Sequence, residues 1–173
     1  PQRGTILQHL SLPRQYFGEG CTVLRNELYQ LTWKERVIFV RDPLTFQEKR
    51  KISWKREGWG AASSGDTLWI STGSDTLFAL TPEGKELFNL PVQAGGKRVT
   101  QLNELADAGP WLLANIWGEE CIALIDKKSG GVVEWWDASS LRNAIPLSQR
   151  EGLDVLNGIA KATSGGWWLT GKY

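Results

Sequence analysis

The chain has 173 residues, with 20 Lys plus Arg set against 19 Asp plus Glu and a formal net charge of +1. So even a balance generates no field that would gather nucleic acid or anionic lipid. No apolar run approaches the roughly 18 residues of a membrane-spanning helix, so neither nucleic acid nor membrane is expected as a partner.

Residues 4–12 read as the last strand of a structural unit, and they carry His9, the only histidine. A first complete unit follows, in which CTVL and LYQLT flank Arg25-Asn26, and VIFVRDPLTFQ adds a third strand with a turn at Asp42-Pro43. The second unit turns at Gly65-Asp66 before LWIS, and its TLFALTPEGKE turns again at Thr81-Pro82. The third turns at Ala108-Gly109-Pro110 before WLLANI, and its CIALIDKKSGGV turns at Lys128-Ser129-Gly130. After an insertion around Ala138 to Asp154, a fourth unit turns at Ser164-Gly165-Gly166 and reaches its second strand at Tyr173. Gly, Asn and Asp between β-branched and aromatic runs are hairpin signals.

One spacing recurs through these units. Glu19 to Trp33, Trp59 to Gly73, Asn103 to Trp117 and Gly158 to Lys172 are each 14 residues apart and straddle a hairpin centre. The pairs therefore mark the open ends of equivalent hairpins, side by side on adjacent strands. Between successive units the offsets are 40, 44 and 55 residues, the length of a four-stranded propeller blade. An all-β propeller accounts for this recurrence, which a sandwich lacks. About four blades are visible, residues 1–173 form one domain, and both ends read as cut, with an N-terminal blade outside the sequence.

The Lys49-Arg50-Lys51 and Lys55-Arg56 clusters alternate with Ile52 and Trp54, the pattern of a solvated outer strand face. Cys21 and Cys121 belong to different units and are not expected to pair. Without a His or Cys cluster the sequence offers no zinc site.

Propellers bind ligands where inner-strand ends converge on the channel. There the spacing gathers Glu19, Trp33, Trp59, Asn103, Trp117 and Lys172, with Phe17 two residues before Glu19 on the same strand face. The chain has 10 Trp, and Trp54, Trp69, Trp111, Trp135, Trp136, Trp167 and Trp168 are expected to pack between blades. Glu19 and Lys172 could also serve as an ion pair holding the rim. Against that, the polar residues differ from unit to unit at equivalent positions, which suits a binding site better than a structural repeat.

The motifs YFGEG (16–20), LYQLTWKE (28–35), EGWG (57–60), LNEL (102–105), ANIW (114–117), DVLNGIA (154–160) and LTGK (169–172) together resemble the plant and bacterial type of glutaminyl cyclase, or glutamine cyclotransferase. The resemblance runs in order over 16–173. It implies a five-bladed propeller that converts an N-terminal glutaminyl residue to pyroglutamate with release of ammonia. It also implies an acyltransferase that uses no catalytic metal or other cofactor, a monomer, and a periplasmic or secreted location. The partners it implies are peptides or proteins beginning with Gln. Glu19 is the implied proton-transfer residue, Asn103 and Lys172 are polar partners of the reacting amide, and Phe17, Trp33, Trp59 and Trp117 are aromatic walls. An FTQGL-like segment of the family, whose Phe and Gln contribute to the pocket, has no counterpart in this sequence.

The chemistry fits these residue types. Nucleophile and electrophile are tethered in one residue, so the catalyst must mainly hold the reactive rotamer, as aromatic walls can. One carboxylate can take a proton from the α-ammonium and return it to the departing amide nitrogen. Amide and ammonium donors can stabilise the tetrahedral oxyanion, and the spacing does not assign which of Asn103 and Lys172 contacts the oxygen. Glu104 and Asp154 read as strand-end hydrogen-bonding groups. The competing reading is a propeller that binds a peptide N-terminus or small amine without turnover, and a third is a scaffold with a packed channel.

Overall fold

A computed structural model of the chain describes residues 6–145, 148, 150 and 155–171. The chain folds into successive antiparallel meanders. The first sheet is β1 (Gly18–Leu24), β2 (Glu27–Thr32), β3 (Val37–Arg41) and β4 (Glu48–Ser53), and the second is β5 (Ala61–Ser64), β6 (Thr67–Ile70), β7 (Thr76–Leu80) and β8 (Glu86–Pro91). A small hairpin, β9 (Gln93–Ala94) and β10 (Lys97–Arg98), precedes the third sheet of β11 (Leu102–Ala108), β12 (Trp111–Ile116), β13 (Cys121–Asp126) and β14 (Val132–Asp137). A short helix, α1 (Ser139–Ala144), leads to the pair β15 (Leu156–Lys161) and β16 (Trp167–Gly171). In every sheet, neighbours in sequence are neighbours in space.

Local chemistry sets the turns. Arg25 and Asn26 both have positive φ, 49° and 59°, the geometry that matches a two-residue hairpin to the twist of its strands. The outer turns of the first and third sheets share one device. Asp42 Oδ1 accepts from the backbone N–H groups of Leu44 and Thr45, and Asp126 Oδ1 from those of Lys128 and Ser129. Those bonds hold both carboxyls below their ordinary values.

Strand alternation sends successive side chains to opposite faces, and the core lies between sheets. Tyr29, Leu31, Ile38 and Val40 of the first sheet meet Leu68, Ile70, Phe78 and Leu80 of the second. The intervening residues Trp69, Leu77 and Ala79 point the other way, against Leu112, Ala114, Ala123 and Ile125. Leu113, Ile122 and Leu124 then meet Ile159, with Trp136 and Trp167 at the margin. Burying a side chain of this size contributes about 1.5–3 kcal/mol, so each sheet is held chiefly by its neighbours. The inner strands β1, β5, β11 and β15 stand side by side in that order around a cavity of about 290 Å³ lined by Cys21, Thr22, Ser63, Asp107 and Lys161 among others.

Several expectations need correction. Residues 6–12 form no strand, because they have no partner strand among the described residues and expose Ile6 and Leu7. The insertion opens with α1, whose first turn is capped by Asp137 Oδ1 accepting from the Ser139 N–H. Of the seven tryptophans expected between sheets, Trp54 and Trp69 are buried and Trp136 and Trp167 half-buried, whereas Trp111, Trp135 and Trp168 are exposed. Cys21 and Cys121, in contrast, are free thiols as expected.

Candidate functional site

The inner strands β1, β11 and β15 break register at the same end. Gly18 pairs with Thr32, but the next pair is Cys21 with Gln30. Leu102 pairs with Ile116 and next Leu105 with Ala114, while Leu156 pairs with Gly171 and next Gly158 with Thr170. Glu19-Gly20, Asn103-Glu104 and Asn157 are the residues left out of the ladder, and such a bulge re-aims side chains where a sheet meets its mouth. The 14-residue spacing thus has a different origin from the one expected. The facing pairs are Gly18 with Thr32 and Leu102 with Ile116, while Glu19 and Asn103 sit one step inward and Trp33 and Trp117 one step beyond the last paired residue. In the fourth unit the bulge position belongs to Asn157 and not to Gly158.

Backbone contacts place Glu19, Trp59 and Asn103 in order across two sheet boundaries. The Gly20 N–H donates to the Trp59 carbonyl at 2.8 Å, and a Cβ on Gly20 would lie 2.6 Å from that oxygen. A Cβ on Gly60 would collide with the Asn103 carbonyl and the Glu104 backbone. Glycine after Glu19 and after Trp59 is therefore what lets the inner strands approach so closely. Ser71 completes the second boundary, its Oγ accepting from the Gly60 N–H at 2.8 Å and donating to the Asn103 carbonyl at 2.6 Å. Asn103 is only 4% exposed.

The four aromatic side chains expected as walls connect into one array. Phe17 and Trp33 meet edge to face with centroids 5.9 Å apart, and Trp59 and Trp117 do so at 6.2 Å. Phe17 and Trp117 remain about half exposed, at 54% and 45%. The two pairs are joined by Glu57, whose Oε2 accepts the indole N–H of Trp33 at 2.8 Å and of Trp59 at 3.2 Å. Glu57 is itself anchored where its carbonyl accepts the indole N–H of Trp54 at 3.1 Å. Glu35 Oε2 accepts the Phe17 N–H at 3.1 Å, and the Lys34 ammonium lies 4.0 Å over the Trp33 ring.

Gly73 sets the angle between Trp59 and Trp117. At φ +73°, it leaves space for the Trp59 ring, whose atoms would be 2.6 Å from any Cβ. Its carbonyl accepts the Gln101 N–H, and the Gln101 carbonyl accepts the Trp117 N–H. Gln101 holds a left-handed backbone at φ 62°, so one chain of bonds runs from the Trp59 pocket to the Trp117 backbone.

The structure thus brings together Phe17, Trp33, Trp59 and Trp117, and sets Glu19 and Asn103 at the adjoining strand ends. Lys172 and Asp154 lie outside the described residues. Glu104 acts at a strand end, its Oε1 accepting from the Ala61 and Leu105 N–H groups. Cys21 lies two residues from Glu19. Desolvation of its sulfur, reinforced by the Glu104 carboxylate, pushes the thiol above its ordinary value, which disfavours the reactive thiolate. Among the described residues no cluster of His, Cys, Asp and Glu could hold a metal ion. Sequence reasoning assigned no role to Glu57, Glu35, Ser71 or Gly73. The signal for Glu57 was its place two residues before Trp59, and for Gly73 its place 14 residues after it.

The family model described as glutamine cyclotransferase matches residues 1–173. The chain belongs to the glutamine cyclotransferase family. It is 35% identical over 147 residues to a glutaminyl-peptide cyclotransferase of Arabidopsis thaliana, covering 84% of this chain and 46% of that protein. The chain therefore spans about half the length of that curated relative. It is also similar to the crystal structure of Myxococcus xanthus glutaminyl cyclase, with a TM-score of 0.84 and 34% identity over 91% of this chain and 68% of the other. A weaker likeness, TM-score 0.56 at 16% identity to Kuenenia stuttgartiensis hydrazine synthase over 86% of this chain and 41% of the other, concerns the fold alone.

Proposed function

We propose that the protein carrying this chain is a metal-independent glutaminyl-peptide cyclotransferase, an acyltransferase acting as a monomer on peptides or proteins that begin with Gln. The observation that carries the reading is the joined array of Phe17, Trp33, Trp59 and Trp117 beside the bulge bearing Glu19, in a chain of this family. We read the sheets as blades of a five-bladed propeller and the cavity between β1, β5, β11 and β15 as part of its channel. From the family resemblance alone, its proposed location is the periplasm or the exterior.

In this mechanism the aromatic walls fold the Gln side chain back toward its own α-amine, supplying the orientation that an intramolecular attack requires. Exposed indole faces also attract the substrate while it is an ammonium. Glu19 accepts a proton from the ammonium, and the freed amine forms a bond to the side-chain amide carbon. Asn103 and Lys172 stabilise the resulting oxyanion, a contribution of roughly a hundredfold to a thousandfold per donor. The carbon–nitrogen bond to the amide then breaks as Glu19 passes its proton to the departing nitrogen and takes the second proton from the ring nitrogen, so ammonia leaves and the neutral five-membered lactam remains.

The test is ammonia release from a Gln-initiated dipeptide by the full gene product, with and without chelator. Release that survives chelation supports the reading. Loss on chelation with recovery on adding zinc overturns metal independence. Tight binding without ammonia release favours the alternative of a non-catalytic module for peptide N-termini.

A further inference from the structure

We infer that Glu57 is a positioning residue of this site, one carboxylate that fixes two of its walls at once; the inference rests on the cyclotransferase reading for its kinetic consequence but not for its geometry. Trp33 extends from the first sheet and Trp59 precedes the second, so no shared strand fixes one ring against the other. Both indole N–H groups end on the same atom, Glu57 Oε2, at 2.8 and 3.2 Å. An indole N–H that is drawn from water needs an acceptor, and a single acceptor shared by two rings makes their orientations interdependent.

The surroundings leave little freedom for another arrangement. The Glu57 backbone is held by the Trp54 indole through its carbonyl, and Trp54 is buried in the core between the first two sheets. Trp59 is confined from below by Gly73, and Trp33 is flanked by Phe17 at its edge and Lys34 over its ring. Removing the carboxylate frees the torsions of both rings while leaving these packing contacts. Glu57 touches no reacting atom in this scheme. It acts through the walls, so its loss falls on formation of the reactive rotamer before it falls on proton transfer.

The experiment compares Glu57→Gln and Glu57→Ala in the full gene product, with kinetics on a Gln-initiated dipeptide and near-ultraviolet circular dichroism of the tryptophans. A Gln side-chain oxygen can still accept both N–H groups. Glu57→Gln is expected to keep KM within about threefold of the parent, whereas Glu57→Ala raises it about tenfold or more, as loss of substrate positioning does. The tryptophan bands weaken in the Ala variant and return in the Gln variant. An Ala variant with parental KM and spectrum overturns the inference, as does a Gln variant impaired as severely as Ala, which would assign the effect to charge. If Glu57→Ala does not fold, the Gln variant alone decides, since a tenfold rise in its KM contradicts the shared-acceptor role. If the parent releases no ammonia, the functional reading fails, and the tryptophan spectra of the two variants still decide whether Glu57 orders the rings.

Discussion

Ser71 Oγ donates to the carbonyl of Asn103 across the boundary between the second and third sheets, at 2.6 Å. Because the same oxygen accepts from the Gly60 N–H, one hydroxyl satisfies two buried backbone groups at the place where Trp59 and Asn103 come together. Ser71→Ala strands both. The expected loss is about 1–3 kcal/mol of stability, read as a lower midpoint in urea unfolding with an unchanged slope. A midpoint equal to the parent's would mean that the boundary repacks without the hydroxyl.

Glu19→Gln preserves the size and hydrogen-bonding capacity of the side chain but cannot take up and return a proton. Turnover is expected to fall about a hundredfold or more, with KM nearly unchanged. Steady-state kinetics with a circular dichroism control checks this. A folded variant retaining more than about a tenth of parental kcat would assign Glu19 to the rim and send the search for the proton carrier elsewhere.

Gly73→Ala tests the aromatic array from beneath. Its backbone sits in the left-handed region and its missing Cβ is replaced by the Trp59 ring. The methyl group must push that ring from its place against Trp117 and disturb its bond to Glu57. Such strain costs about 1–3 kcal/mol, and KM is expected to rise more than kcat falls. Trp117→Ala, which deletes one wall outright, should also raise KM. Unchanged KM in both variants would remove these rings from substrate binding.

Acid stability should depend on Glu27. Arg50 grips its carboxylate with two nitrogens, at 2.9 and 2.8 Å, and that hydrogen bonding, with the Arg50 charge and a smaller contribution from Lys49, holds the Glu27 carboxyl below its ordinary value of 4.5. A carboxyl whose folded value is depressed contributes fully above the unfolded value and loses that contribution as pH falls through the folded one. Glu27→Gln should therefore lower stability at neutral pH and flatten its decline below about pH 5. Urea midpoints measured across that range give the slope. The slope that remains in the variant belongs to carboxylates such as Asp42 and Asp126, held by their own turn N–H groups. An identical slope in parent and variant would contradict the assignment.

Turn chemistry and strand alternation are local, and they made the meanders legible in sequence. Arg25-Asn26, Gly65-Asp66 and Asp42-Pro43 all fall at the turns expected of them. The grouping of Trp33, Trp59 and Trp117 was legible because these residues recur at fixed distances from those turns. The bulges were not, since an extra residue in one strand leaves no mark on a spacing that repeats from end to end; hence the spacing points to Gly158 where the bulge holds Asn157. Glu57, Glu35 and Ser71 were invisible for another reason. Their roles lie in contacts across sheet boundaries, and no period along the chain reports which acceptor an indole from the neighbouring sheet will find.

The residues at the bulges lie between the register pairs of their own strands and bond across to the next sheet instead. A carboxylate in β1 and an amide in β11 occupy corresponding bulge positions, and an indole stands just ahead of β5. The register pairs on either side are made by other residues, so the side chain at such a place differs from sheet to sheet while Gly20, Ser71 and Glu104 keep the neighbouring backbones joined. One backbone device thus offers different chemistry in successive sheets, and the bulge, more than the ladder, sets where each group is presented.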